Sequence, residues 1–506
     1  MADSENRKFL LEEFVREHSH LIKRRVPEVE KLEAVYSEVL DNYTEDTLFK
    51  EMYLHKVKFY GEQYELFKKH CQYQDTILTL MEQIHEIAAP YDKRNPDCTI
   101  FRVDVVLMVI LLAGVCNKTD GKQYKNFWFE YNPLLQFVIP GMPSPRYMIS
   151  ESTINMILRL LPDDSFEKLF RLRFSKAVTM LNDIIELKRN EEFEQGQHFL
   201  PTYGGDGQEL RASFRRGEPS RKRKGAHGVT LFDTDHRTVV DYTSVKYKNN
   251  EVYAFKKMLD RMSADQYGTF IFYADALNTR EDFISHLNDK GIPWFFPIKT
   301  NNANESLHDA IKLAFITHPK GYKHVEESKT SGRIENRTYR MLPIGAVDTD
   351  NTMSSKAVLM VKKHTEYYIK DAKEQREPSD SVIFYITSLE YNEQTFRQLI
   401  HSLSRRWLYE QSHNVLDVVM FQDQRALCDD NHLAETIGLN KCIFNIITYA
   451  RQKLTEQGAD HIKHRLPVTK NRRPISYKQT FQRMEDNPLR ALMMILDYLD
   501  TQPVLD

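Results

Sequence analysis

Apolar residues recur at helical spacing from Asp3 to about Tyr91, as at Phe9, Leu10, Phe14 and Leu21, with few glycines or prolines to interrupt them. A second helical block runs from Pro96 to Lys176. In it Phe101–Val115 reads as a buried helix and Met142-Pro143-Ser144-Pro145 as a loop. Ser150 or Ser152 then caps a helix with Ile154, Ile157, Leu158 and Leu161 on one face. Two helices flanking a turn suit either a helix-turn-helix or a small bundle that packs on a neighbouring domain.

Beyond the polar segment Lys188–Gln197 the period shortens to that of strands. His198–Tyr203 is the first, and Gly228–Asp233 and Thr238–Val245 form a hairpin around Thr234–Arg237. A helix follows over Glu251–Met262, then a strand over Thr269–Ala274, a helix over Arg280–Asp289 ending at Gly291, and a strand over Ile292–Ile298. Three strands, helix, strand, helix, strand is the order of the ribonuclease-H-like fold, an α/β architecture in which the first and fourth strands are neighbours. Residues 299–388 are too long for a loop and carry strand-like runs at Arg337–Leu342, Ala357–Val361 and Val382–Thr387, the pattern of a β-rich insertion. Helix returns over Gln394–Tyr409 and beyond, then over Leu433–Leu454 and Leu489–Leu499. The expected organisation is a helical extension (1–75), a helical domain (76–190), a catalytic core in two parts (191–298 and 389–460) split by the insertion (299–388), and a basic tail with a helix (461–506).

Candidate chemistry collects on carboxylates. Asp206 lies in the glycine-rich stretch Tyr203–Arg211, read as a loop after the first strand, where side-chain-free neighbours allow close approach of a metal or phosphate. Gly-Asp-Gly is equally an ordinary turn. Asp275 ends the fourth strand, so the strand order brings it to Asp206 at one sheet edge, a geometry suited to a divalent cation. Glu410, on the late helix, supplies a third acid. Asp233, Asp235 and Asp241, on the hairpin or its turn, read as solvent-facing, and Asp417 and Asp423 are rivals to Glu410.

Composition narrows the setting. The 506 residues are 41% hydrophobic and 28% charged with a net charge of −2, a globular profile that confines any nucleic-acid surface to local basic clusters. Arg211, Arg215, Arg216, Arg221, Lys222, Arg223 and Lys224 crowd the segment after Asp206, where they would neutralise phosphates or simply line a solvated loop. Lys23-Arg24-Arg25 and the stretch from Lys463 to Lys478 carry the same two readings. The five cysteines form no Cys-x-x-Cys pair, which fits a reducing cytosol. The N-terminus lacks a signal peptide's apolar core, and the longest apolar run, Val105–Cys116, is too short to span a bilayer.

Asp206-Gly207-Gln208-Glu209-Leu210-Arg211-Ala212-Ser213 resembles the Asp-Gly-Lys-x-x-Arg-Gly-Ser signature of the H-repeat-associated, ISAs-type bacterial insertion-sequence transposases. Lys248-Asn249-Asn250-Glu251 resembles that family's Lys-Ser-Asn-Glu, Ala274–Thr279 its Asp-Ala-x-x-Thr segment, and Ser331–Arg337 its Gly-Arg-Ile-Glu-x-Arg. Arg406-Trp407-Leu408-Tyr409-Glu410 with Leu416-Asp417-Val418 resembles its His-Trp-x-Ile-Glu-Asn and Leu-Asp-Val. The likeness covers roughly residues 76–455, five motifs in order. Gln208, Ala212 and Arg406 depart from the family pattern, but no carboxylate is lost.

The resemblance implies a DDE transposase, an endonuclease of DNA recombination that cleaves element ends and joins the freed 3'-hydroxyl to target DNA. Asp206, Asp275 and Glu410 would hold two Mg²⁺ ions about 3.5–4 Å apart, with Mn²⁺ as a substitute. Double-stranded DNA is the implied partner, with a homodimer when two ends are synapsed and a location in the bacterial cytoplasm at the nucleoid. Arg333 joins the DNA-contacting set, as does Arg406, which stands one helical turn before Glu410 and would meet either a phosphate or that acid. Trp407 would stack on an unpaired base or sit in the core. A DNA-binding regulator descended from a transposase and a nuclease that cuts without joining are the competing readings.

Overall fold

The computed structural model of the protein describes residues 28–68, 73–95, 99–161, 168, 199–209, 227–245, 251–300, 304–330, 333–367, 377–420, 430–463 and 475–500. They fall into two compact units. One comprises the described residues of Met1–Ile184 and Asn414–Asp506, the other those of Ile185–Glu209 and His227–His413.

The second unit is built on a nine-stranded sheet in a mixed α/β arrangement. Its strands are β1 (Thr202–Glu209), β2 (His227–Asp233), β3 (Thr238–Val245), β4 (Ile271–Ala274), β5 (Trp294–Ile298), β6 (Tyr322–Thr330), β7 (Arg333–Pro343), β8 (Ala357–Tyr367) and β9 (Ser379–Thr387). The spatial order is β3-β2-β1-β4-β5-β9-β8-β7-β6. β4 runs parallel to both β1 and β5, and the other neighbouring pairs are antiparallel. The strand-like runs in 299–388 therefore continue the same sheet. The sequence pattern missed two elements there, the edge strand β6 and the helix Glu305–Thr317, whose buried side is the narrow set Leu307, Ile311, Ala314 and Phe315.

Period-two alternation separates the two faces of this sheet. Phe272 and Phe296 pack on one face with Phe255 of the Glu251–Asp260 helix and Phe283 of the Glu281–Asp289 helix, at ring separations of 5.4–6.0 Å. Ile271, Tyr273 and Phe295 point to the other face, where they join Tyr339, Leu359, Tyr385 and, from the Glu393–Asn414 helix, Phe396, Leu399 and Ile400. Burial on both faces explains why β4 and β5 read as short unbroken apolar runs.

The glycine-rich stretch is a strand, not the loop its composition suggests. β1 lies in the sheet interior, with Gly205 opposite Leu231 on β2 and Ala274 on β4. Close packing makes glycine necessary there: a Cβ on Gly205 would lie 2.6 Å from Cε1 and 2.8 Å from Cζ of the fully buried Phe255. Gly205→Ala is expected to destabilise this unit by about 1–3 kcal/mol, as overpacking a filled core does, read from the midpoint of a urea unfolding curve.

The first unit is helical, as its spacing indicates. Every residue of Val103–Val115 is buried. Gly114 admits the Asp430–Lys463 helix so closely that a Cβ would fall 2.3 Å from Ile443 Cδ1. Ser150 is the cap of the Glu151–Leu160 helix, accepting from Thr153 N at 3.1 Å. Lys478, counted from sequence in a basic tail, sits in the helix Tyr477–Glu485, while residues 464–474 of that tail and Lys23-Arg24-Arg25 lie outside the described residues. No helix among the described residues is long and apolar enough to cross a membrane.

Candidate active site

Two adjacent parallel strands carry the first two acids to one level. Gly205 of β1 pairs with Ala274 of β4, so the next residue of each chain, Asp206 and Asp275, leaves the pairing at the same height. Asp206 Oδ1 accepts from its neighbour's amide, Gly207 N, at 2.8 Å. Asp275 caps the short turn Ala276–Asn278: its Oδ1 accepts from Leu277 N at 3.0 Å and from Asn278 Nδ2 at 2.8 Å. Both carboxylates are half-buried.

The local field is negative. Burial pushes the Asp206 carboxyl up to about 6, and the charges of Glu251 and Asp275 push the same way, against the Gly207 amide and His227. Tyr409, buried in the Glu393–Asn414 helix, feels the same three acids, and after burial they are what holds its phenol in the neutral form. Its ring approaches β1, with Cδ2 3.6 Å from where a Cβ on Gly204 would stand. The phenolic oxygens of Tyr409 and Tyr273 are buried and have no hydrogen-bond partner among the described residues.

Glu410 follows Tyr409 and is exposed. Arg406, one turn earlier, lays its guanidinium over the Tyr273 ring at 5.5 Å. Burial works against the Arg406 charge, while Tyr273, Tyr385 and Glu410 sustain it. Of the two partners expected for Arg406, a phosphate or Glu410, the acid contributes to its field after Tyr273 and Tyr385. Of Glu410's rivals, Asp417 lies in the π-helical turn Val415–Val419 and Asp423 outside the described residues.

The hairpin acids are not solvent-facing. Asp233, Asp235 and Asp241 are 0%, 1% and 5% exposed, each with a basic partner. Asp233 Oδ2 meets His236 Nδ1 at 2.7 Å, and Asp241 Oδ2 accepts from Arg261 Nη2 at 2.6 Å. Asp235 accepts from Thr202 N at 2.9 Å and His401 Nε2 at 2.7 Å, and forms an ion pair with Arg405 Nε at 3.2 Å. Burial opposes its ionisation, but His401 and Arg405 prevail and hold its carboxyl below the usual range. The hairpin turn is roofed by the Glu393–Asn414 helix, a tertiary contact that local alternation does not encode.

The DNA-contacting set is only partly described. Arg211, Arg215, Arg216, Arg221, Lys222, Arg223 and Lys224 lie outside the described residues, as does the Trp407 side chain. Arg333 is half-exposed on β7 and paired with Glu335 at 3.0 Å, a carboxylate that also meets Arg337 and Lys363.

Three residues beside the acids had no role in the sequence reading. Glu251, His227 and Asn278 are buried. Glu251 Oε1 meets His227 Nε2 at 3.2 Å, and its Oε2 accepts from Asn278 Nδ2 at 3.3 Å. The signals were present, since Glu251 ends one matched motif and Asn278 stands in another, but only folding brings them together.

The donor chemistry fits a hard divalent cation: oxygen ligands in excess negative charge, with two orphaned phenolic oxygens beside them. The gathering is incomplete, since among the described residues no group of three or more His, Cys, Asp or Glu is arranged to hold a metal ion.

Residues 200–446 match the family described as "Transposase DDE domain". Two Escherichia coli (strain K12) proteins, named "H repeat-associated putative transposase YhhI" and "Putative protein YbfL", are each 25% identical over 246 residues, 48% of this chain. The match spans 63% of the length of each of these relatives. Among solved structures, a piggyBac transposase synaptic complex with hairpin DNA aligns over 85% of this chain and 80% of its own, at 11% identity and a TM-score of 0.35.

Proposed function

We propose that this chain, which belongs to the DDE transposases matched over residues 200–446, cuts the ends of a DNA element and joins them to target DNA. The observation that carries this reading is the level exit of Asp206 and Asp275 from adjacent parallel strands into a field negative enough to raise the proton affinity of Asp206. The order β3-β2-β1-β4-β5 supports a ribonuclease-H-like core. Residues 191–298 and 389–460 would then be the two parts of that core, and 299–388 its insertion.

Asp206, Asp275 and Glu410 would hold Mg²⁺, or Mn²⁺ in its place, which supplies Lewis-acid stabilisation of the attacking and leaving oxygens. Asp275 is held in place by Leu277 N and Asn278 Nδ2, so its carboxylate is oriented before any ligand arrives. Glu410 extends from the helix that packs on the sheet face opposite Phe255. Arg406, the basic segment 211–224 and Trp407 would face DNA. Arg333 would have to share its charge between DNA and Glu335. A homodimer bringing two ends together and a site of action at the bacterial nucleoid belong to the same proposal.

Incubation with DNA carrying the sequences that flank the gene at both ends, in Mg²⁺, tests it. Joined products are expected; cut but unjoined DNA would indicate a nuclease, and binding without cutting a regulator. Glu410→Gln is expected to slow cleavage at least about a hundredfold, the scale of losing one stabilising group from a phosphoryl-transfer site, with DNA affinity in a gel-shift titration unchanged.

A further inference from the structure

Glu251 is a buried acid beside Asp206, and the chain has arranged space for it. A Cβ on Gly207 would lie 2.4 Å from Glu251 Oε1 and 2.2 Å from His227 Nε2, so only glycine lets this pair lie against β1 next to Asp206. Glu251 opens the Glu251–Asp260 helix, where the helix dipole favours a carboxylate. Its two oxygens point in different directions. Oε1 meets His227 Nε2 on β2, and Oε2 accepts from the Asn278 carboxamide, whose same nitrogen donates to Asp275 Oδ1 at 2.8 Å.

A chain of contacts therefore runs His227–Glu251–Asn278–Asp275. An Asn side chain has a rotatable amide, and a single bond to Asp275 would leave its pose unfixed. The second bond to Glu251 ties the amide plane, and His227 ties Glu251 in turn. Such support commonly changes metal affinity or activity about 10–100-fold when lost.

We propose that Glu251 is a positioning residue: through Asn278 it holds the Asp275 carboxylate in the pose from which that acid binds a divalent cation. The inference rests on the reading of Asp206 and Asp275 as metal-holding acids. It assigns Glu251 no contact with the cation.

Mn²⁺ binding to the full chain, followed by calorimetry, tests it alongside cleavage of end-containing DNA. Asn278→Ala and Glu251→Ala are expected to weaken Mn²⁺ binding about 10–100-fold, with cleavage partly restored at high Mn²⁺. Glu251→Gln keeps an acceptor for Asn278 and a polar partner for His227, and is expected to bind Mn²⁺ close to wild type. If Glu251→Ala does not fold, Asn278→Ala and Glu251→Gln decide. Wild-type Mn²⁺ affinity in a folded Asn278→Ala protein would overturn the proposal. Loss of binding in Glu251→Gln with Asn278→Ala unaffected would also overturn it, because the charge would then act directly. Asp206→Asn is the separate control: wild-type Mn²⁺ binding and cleavage by that variant would sink the underlying reading instead.

Discussion

Asp206→Asn is expected to lower strand cleavage by about a thousandfold or more, since Lewis-acid stabilisation is worth several kcal/mol and each 1.4 kcal/mol is a factor of ten. The same substitution is expected to stabilise the metal-free protein at neutral pH. In the folded chain the Asp206 carboxyl is pushed up to about 6 from an ordinary value of 3.8, by burial first and by Glu251 and Asp275 after it. Between those two values the folded state holds a proton that the unfolded state has released, so stability falls as pH rises from about 4 to about 6 and stays low above. Asn carries no charge and escapes this cost, which is at most about 3 kcal/mol. A melting curve taken across that range without metal should decline for wild type and lie flatter for Asp206→Asn. Equal slopes would mean that Asp206 is not the strained group.

Asp235→Ala is expected to be the most destabilising of the substitutions considered, by about 3–5 kcal/mol, the usual consequence of removing one partner from a buried charged set. Asp235 collects Thr202 N from the start of β1 and both His401 and Arg405 from the Glu393–Asn414 helix. Arg405 Nη1 also lies 2.9 Å from His401 Nδ1, so the imidazole accepts there and donates to Asp235 through Nε2. Thr202 Oγ1 adds a bond to Ser402 Oγ at 2.7 Å. With the carboxylate gone, the Thr202 amide and the imidazole donor are buried without an acceptor. Because these contacts set the position of the helix that carries Arg406, Tyr409 and Glu410, cleavage should weaken too. Asp235→Asn retains one acceptor and should cost distinctly less. Urea unfolding of the two variants beside wild type measures the difference, and a loss below about 1 kcal/mol for Asp235→Ala would rule out this set as a structural tie.

The contrast between Asp206 and Asp235 shows what the sequence could and could not disclose. Asp275 was legible because an apolar run ends at it, and the alternation of strands and helices placed that run beside the first strand. Glu410 was legible only as a motif, since helical periodicity says which face a residue occupies but not what lies opposite. The glycines around Asp206 resemble a loop by composition. They are a strand because they pair with β2 and β4, and they are glycine at 205 and 207 because Phe255, His227 and Glu251, from elements up to fifty residues downstream, leave no room for side chains there. Asp233, Asp235 and Asp241 look like surface acids because each lies near a turn; Asp233 is paired locally with His236, whereas the partners of Asp235 and Asp241, namely His401, Arg405 and Arg261, come from other elements. Glu251 was hidden for the same reason: its contacts with His227 and Asn278 exist only after β2, the helix at Glu251 and the turn after β4 have come together.

The most direct measurement is single-turnover cleavage of end-containing DNA by Asp275→Asn, in Mg²⁺, at a protein concentration where gel shift shows all the DNA bound. Asp275 makes its hydrogen bonds through Oδ1, which the amide oxygen of Asn reproduces, so the variant should keep the turn Ala276–Asn278 intact. The expected result is fully bound DNA that is not cut. Bound DNA cut at near the wild-type rate would contradict the assignment of Asp206 and Asp275 as the pair on which the chemistry rests.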